Sequence, residues 1–459
     1  MTTPIADFVR AYAAARPARL HMPGHKGASF LGCEHLDITE IQGADALYEA
    51  SGIIAESEEN AASLFGSRRT FYAAEGSSQC VRAMLALAVW RWGQRFPGLR
   101  PVVAAGRNVH KSFLYAAALL DFDVVWLWPE GPSASLCACA VSPEALEAAL
   151  AGLPRPPAAV YLTSPDYLGG RCAVAALTEI AHRRGAPLLV DNAHGAYLRF
   201  LSPSQHPLDL GADLCCDSAH KTLPVLTGGA YLHVGQAGPD SFCRDGRRAL
   251  ALFGSTSPSY LILQSLDLCN QYLADGCRRR LAETAERLEL ARRELAERGW
   301  VLWDTDPLKL TINCAASGWI GPELNRLLQS RKIICEYRDR DDLVLMFTPE
   351  NPPEDLRRLL DALGENRRPP LPRPPLPLAR GQAVRSIREA MFLPHETVPA
   401  SEALGRICGA PAVGCPPAIP VAAAGERIGE EALALFAHYG IPSVEVCREP
   451  EGKASILFS

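Results

Sequence analysis

The chain has 459 residues, 48% of them apolar and 21% charged, with a formal net charge of −5. That length supports two or three domains around a large buried core, and the mildly acidic balance gives no electrostatic ground for a nucleic-acid or anionic-membrane partner. The longest strongly apolar stretch, AMLALAVW at 83–90, is too short to span a bilayer.

The opening stretch, MTTPIADFVRAYAAARPARLHMPGHKG, holds no apolar run of the kind a secretory signal needs, which predicts a cytoplasmic protein. Within it His21 and His25 stand four apart, but Pro23 and Gly24 forbid the helix that would put both on one face, so no metal site is expected. The 15 cysteines form no C-x-x-C pair, and the close pairs Cys137/Cys139 and Cys215/Cys216 lack a usual zinc spacing. They read as reduced, small hydrophobic residues.

From about residue 60 to 275 short β-rich runs alternate with amphipathic stretches. Strands are predicted at PVVAAG (101–106), DVVWLW (123–128), AAVYLT (158–163), PLLVDNA (187–193) and GGAYLHV (228–234), with helices at VSPEALEAALAGL (141–153) and VAALTEIAHRRG (174–185). This alternation implies an α/β fold whose mostly parallel sheet is covered on both faces, with its active site at the carboxyl ends of the strands. A long charged helix follows over roughly 276–298, with Leu281, Leu288 and Leu295 on one face. LKLTINC (308–314) and DLVLMFTPE (342–350) then predict a smaller α/β unit. RRPPLPRPPLPLAR (367–380), six prolines in fourteen residues, reads as a polyproline strap to a compact last unit.

The chemistry gathers around DSAHKTL (217–223). Lys221 follows an apolar run and has Ser218 and His220 beside it. Thirty residues earlier Asp191 closes an apolar strand, a costly place for a carboxylate unless it is paired. Gly76, Ser77 and Ser78 open an amphipathic helix, where free backbone N–H groups and the helix dipole favour a phosphate. His110, in RNVHKSF, lies just past the strand PVVAAG. An amine able to form an imine, a carboxylate, a phosphate cradle and an aromatic ring are what pyridoxal phosphate requires, and an enclosed site would keep the lysine neutral. Each feature alone has a plain structural reading as a surface lysine, a helix cap, an ion-pair partner or a core histidine. Their order in one strand–helix array is what carries the cofactor reading.

Nine stretches extend the pattern: HMPGHKG (21–27), DITEIQGADAL (37–47), EGSS (75–78), RNVHKSF (107–113), PDYLGG (165–170), VDNAHGAYLRF (190–200), DSAHKTLPVLTGGA (217–230), STSPSY (255–260) and CPPAIPVAAAGERI (415–428). Through them the chain resembles the ornithine/lysine/arginine decarboxylase family of pyridoxal-phosphate enzymes, which has the aspartate-aminotransferase type of fold, in a short form without the N-terminal wing domain. The resemblance implies decarboxylation of arginine, lysine or ornithine to the amine and CO2, in polyamine metabolism. It implies that Lys221 bonds to the cofactor aldehyde, Asp191 pairs with the ring nitrogen and His110 stacks on the ring. Gly76, Ser77, Ser78, Ser218 and His220 would hold the phosphate, and His194 would sit near the imine and the substrate carboxylate. STSPSY, with Thr256 and Ser257, resembles the segment that a second subunit lends to the phosphate site, so a homodimer or tetramer with shared active sites is implied. HMPGHKG would be a loop near the active-site mouth. Candidates for receiving the substrate's distal cation are Asp166, Glu336 and Asp339. On this reading the chain divides into an N-terminal active-site segment (1–60), a large cofactor-binding domain (61–275), a small α/β domain (276–366), the proline-rich linker (367–380) and a C-terminal domain (381–459).

Five positions depart from the family pattern. Glu75 and Ser78 stand where Asn and Thr are usual, Asn192 replaces the acid of Asp-Glu-Ala-His and so removes a carboxylate from the pocket rim, Asp217 stands where Gln is common, and Ala418 replaces a common glycine. Two alternatives follow. One is another reaction on the same cofactor (an aminotransferase, with Arg338 for the substrate carboxylate, or a β-eliminating lyase). The other is a pyridoxal-phosphate-binding regulatory protein without turnover, for which Glu75 and Asn192 are the motive.

Overall fold

The computed structural model describes residues 1–131, 135–138, 140–414 and 418–448. Cys139, the Cys-Pro-Pro that opens the 415–428 motif and the last eleven residues of the expected C-terminal domain lie outside them.

Seven strands form the central sheet: β1 (Arg69–Ala73), β2 (Val102–Gly106), β3 (Asp123–Leu127), β4 (Ala159–Thr163), β5 (Leu188–Asp191), β6 (Leu214–Asp217) and β7 (Ala230–Val234), in the order β1-β7-β6-β5-β4-β2-β3. The pairs from β3 through β2, β4 and β5 to β6 are parallel, and β7 runs antiparallel to both β6 and β1. Alternation along β4 shows why the strands read as continuous apolar runs. Ala159 and Tyr161 pack with Ala83, Leu87 and Phe113 on one face, while Val160 and Leu162 pack with Leu146 and Leu177 on the other. Helices Ser77–Arg95 and Lys111–Leu120 cover the first face, and Pro143–Ala151 and Val174–Arg183 the second.

Helix Cys277–Glu297 leaves the sheet with Leu281, Leu288 and Leu295 all buried, the face expected from their spacing. It leads to a three-stranded antiparallel sheet of Lys309–Asn313, Asp342–Met346 and Tyr337–Arg338. The proline-rich segment is fastened at both ends. Arg368 lies 3.4 Å over the Trp319 ring, Arg373 pairs with Asp342 at 2.6 Å, and Leu376 and Ala379 enter the core of the last unit beside Val421, Phe436 and Val446. Buried Arg107, just after β2, donates to the carbonyls of Pro420 and Val421 and so ties that unit back to the sheet. Among the described residues no helix is long and apolar enough to cross a membrane, and the described cysteines are free thiols, most of them buried.

Candidate active site

A cavity of about 300 Å³ opens at the carboxyl ends of β4, β5 and β6, within the size range of small-molecule sites. β6 ends at Asp217, Ser218 follows, and the one-turn helix Ala219–Thr222 turns Lys221 into the cavity. The Lys221 Nζ lies 3.0 Å from His194 Nε2. Burial pushes the lysine's pKa down against the pull of Asp191 and Glu336. Burial, then the charges of Lys221 and Lys309, hold His194 well below the ordinary imidazole range, so its ring is neutral. The edge of Tyr167 packs on that ring, with centroids 4.7 Å apart.

Asp191 closes β5 at the cavity floor and is 3% exposed. Its carboxylate accepts from Tyr161 Oη at 3.1 Å and from the Ala193 N–H at 3.2 Å, with Cys216 Sγ at 3.6 Å. His110 caps helix Lys111–Leu120, its Nδ1 accepting the Ser112 N–H at 3.2 Å. The ring proton therefore sits on Nε2, and burial pushes the imidazole pKa down to about 4.

The anion cradle is built where β1 turns into helix Ser77–Arg95. Gly76 makes the turn at φ +73°, a conformation that a side chain would strain. The helix start has no side-chain cap, which leaves its first N–H groups for a ligand. Ser218 Oγ donates to Ser77 Oγ at 2.7 Å, and His220 Nδ1 donates to the Gly229 carbonyl at 3.1 Å. Gly76, Ser77, Ser78, Ser218 and His220 all line the cavity with His110, Asp191, His194 and Lys221.

Other expectations are corrected. Asp166 is buried, but its carboxylate accepts the Gly170 N–H at 2.8 Å within its own turn and stays off the cavity lining, with burial pushing its pKa up to about 6. Asp339 likewise accepts the backbone N–H groups of Asp341 and Asp342 and the Tyr337 hydroxyl, and its pKa rises to about 6 through burial and then through Asp342. Neither carboxylate belongs to the cavity lining. Glu336 is exposed and accepts Tyr167 Oη at 2.7 Å, which joins it to the cavity wall. Arg338 is exposed and off the lining.

Asn192 is fully buried on the far side of the sheet and belongs to no rim. Glu75 turns away from the cradle and accepts the N–H of Ser255. Thr256 and Ser257 are exposed and do not line the cavity of their own chain, nor does the HMPGHKG loop. In that loop His21 Nε2 meets Tyr12 Oη at 2.6 Å, while His25 Nε2 pairs with Asp37 at 3.2 Å, two separate contacts.

Sequence reasoning misses several lining residues, among them Asn108, Thr163, Tyr167 and Ile419. Thr163 has a usable signal: it ends β4 in register with Asp191 on β5. Ala418 also lines the cavity at φ +62°, which explains why glycine is the common residue there.

Residues 3–313 match the family model described as Orn/Lys/Arg decarboxylase, major domain. The chain is 30% identical to the uncharacterised protein YaaO of Bacillus subtilis, over 94% of this chain and 93% of that one. It is 28% identical to the arginine decarboxylase of Bacillus subtilis, over 95% and 93%. Among solved structures, lysine decarboxylase A from Pseudomonas aeruginosa superposes with a TM-score of 0.78 at 17% identity, covering 97% of this chain and 80% of that chain, a likeness of fold.

Proposed function

The chain belongs to the Orn/Lys/Arg decarboxylase family, which uses pyridoxal phosphate to decarboxylate basic amino acids, and from that premise we propose that it acts on arginine in the cavity around Lys221. The observation that carries this reading is a half-buried, pKa-depressed lysine 3.0 Å from a neutral histidine, beside a carboxylate at the end of the neighbouring strand. Arginine is favoured over lysine and ornithine because relatives of nearly full-length overlap carry that activity in their names.

The cavity fits the cofactor on its own terms. Thr163 Oγ1 and His194 Nδ1, both on lining residues, have no partner among the described residues, as groups awaiting a polar ligand would. Lys221 would hold the cofactor covalently, Asp191 would pair with its ring nitrogen, His110 would lie against its ring, and Ser77, Ser78, Ser218 and His220 would take its phosphate. Bound there, pyridoxal phosphate supplies the electron sink that lets the α-carboxylate depart.

The protein's own groups do the rest. Tyr161 and the Ala193 N–H orient the Asp191 carboxylate. His194, neutral and in contact with the Lys221 amine, can take a proton from that nitrogen or return one to it. Tyr167 and Glu336 at the wall would meet the substrate's guanidinium with a charge-assisted bond. Positioning of the α-carboxylate, more than any acid or base, selects decarboxylation. An aminotransferase would need an arginine in the cavity, and Arg338 stands outside it. We assign Thr256 and Ser257 to the cradle of a second subunit in a homodimer, a role supported by their exposure beside the anchored Ser255.

The test is amine product by mass spectrometry after purified protein and pyridoxal phosphate are incubated with arginine, lysine and ornithine together. Agmatine as the dominant product is expected. Cadaverine or putrescine alone would overturn the substrate, and absence of all three amines would overturn the activity.

A further inference from the structure

Behind the cavity lies a second buried constellation that the proposed chemistry does not use. β5 and β6 run in parallel with Asp191 opposite Cys216, and alternation sends the next residues, Asn192 and Asp217, to the other face of the sheet. Asn192, Asp217, His206 and His233 are each 0% exposed there. Asn192 Nδ2 donates to Asp217 Oδ1 at 2.7 Å, and His206 Nε2 and His233 Nε2 stand 3.0 and 3.3 Å from Oδ2. The Phe65 ring packs on both imidazoles, with centroids 5.7 and 4.5 Å away.

His206 Nδ1 accepts the Leu208 N–H at 3.4 Å, so its proton sits on Nε2 and points at the carboxylate. The lone pair a metal ion would need from that nitrogen is therefore taken. Burial alone would push the Asp217 carboxyl up, yet His206 and His233 hold it below the ordinary carboxylate range. A buried charge with these donors around it is tolerable; the same charge without them is not.

We propose that Asn192 and Asp217 are one matched amide–carboxylate pair, a positioning device that locks the ends of β5 and β6 together and so sets Asp191 against the Ser218–Lys221 turn. The two departures from the family pattern at these positions are then a single exchange. The acid expected at 192 and the amide expected at 217 have traded places, and the pair still holds one donor and one acceptor. Neither change marks a retired enzyme. The geometry leaves little freedom: two carboxylates would repel across 2.7 Å without solvent, and two amides would leave the buried network with no carboxylate to balance its donors. The inference rests on the active-site reading only for its consequence in turnover.

The test compares wild type with Asn192→Asp, Asp217→Asn and the reciprocal double variant. Both singles are expected to lower the apoprotein's thermal midpoint, to alter the visible spectrum of the bound cofactor, and to cut kcat by about tenfold or more, the effect of one mismatched buried polar group. KM should change far less. The double variant should recover most of all three, because the amide it places at position 217 can still accept from His206 while donating to the carboxylate it places at position 192. A double variant no better than the two singles combined overturns the pairing. Midpoints that fall while kcat and spectrum stay unchanged overturn the positioning role. If a single variant does not fold, the double decides: folded and within about tenfold of wild-type kcat supports the pair, and folded but inactive overturns it. The midpoints and cofactor spectra need no substrate. A wild type that binds cofactor but yields no amine would therefore sink the proposed activity while the pairing is still measured.

Discussion

At Lys221 two demands meet on one nitrogen: it must be enclosed, and it must be uncharged. Burial depresses its pKa despite Asp191 and Glu336, so the amine is destabilising to the fold in its charged form. Lys221→Ala is therefore expected to abolish amine production and the visible absorption of protein-bound cofactor, with apoprotein stability equal to or above wild type. An unchanged spectrum in that variant would remove the lysine from its role. His110 carries a pH signature of its own. Its folded pKa of about 4 lies below the ordinary 6.5, so between those values the unfolded chain binds more protons and native stability falls as pH falls. Denaturant titrations of apoprotein should show wild type losing up to roughly 3 kcal/mol relative to His110→Phe between pH 6.5 and 4. Parallel curves for the two proteins would mean that His110 is not buried as described.

At the scale of elements, the strands β2 to β5 and β7 and the helix Cys277–Glu297 are legible in the sequence within a residue or two, because fully buried strands and a single-faced helix leave strong apolar patterns. β1 and β6 are not. Arg69 and Thr70 open β1, and β6 is the four-residue run Leu-Cys-Cys-Asp, too short to stand out. Lys221, Asp191, His110 and the serine cradle are legible as a set, since each lies at an element boundary. Asp166 and Asp339 mislead because a carboxylate beside glycine or further acids caps its own turn as readily as it binds a cation. Asn192 can be placed by alternation alone: once Asp191 faces the cavity, its neighbour cannot. His206 leaves no signal, as it joins the network from an irregular loop. Glu75 is legible only in three dimensions, where it fastens the loop after β1 to Ser255. Glu75→Ala should weaken cofactor binding by about threefold to tenfold by releasing Ser255–Ser257, whereas Glu75→Gln, which keeps an acceptor, should bind near wild type in a fluorescence titration. Equal losses in both variants would assign the effect to charge instead.

The whole molecule leaves apolar side chains in water near its amino end: Leu20 is 94% exposed, Leu31 88% and Phe30 80%. Apolar side chains this exposed are a liability on a free subunit and suit burial against another copy. Thr256 and Ser257 fit the same proposal, since they are exposed on the segment tied to Glu75 beside the cradle and stay off the cavity lining of their own chain. In the proposed homodimer each site would then draw Lys221 from one subunit and Thr256 and Ser257 from the other. Two inactive proteins should rescue one another. Lys221→Ala and a Thr256→Glu/Ser257→Glu variant, which sets carboxylates against the phosphate, are each expected to be inactive alone. Mixed in equal amounts after partial dissociation, half the dimers are heterodimers, and each of those holds one site with both wild-type contributions. Activity should then recover to about a quarter of the wild-type value. No recovery, with heterodimers demonstrated by mass spectrometry, would mean that each chain completes its own site. The exposed segment after helix Asp240–Leu252 would then have to fold back onto its own cradle when the cofactor binds.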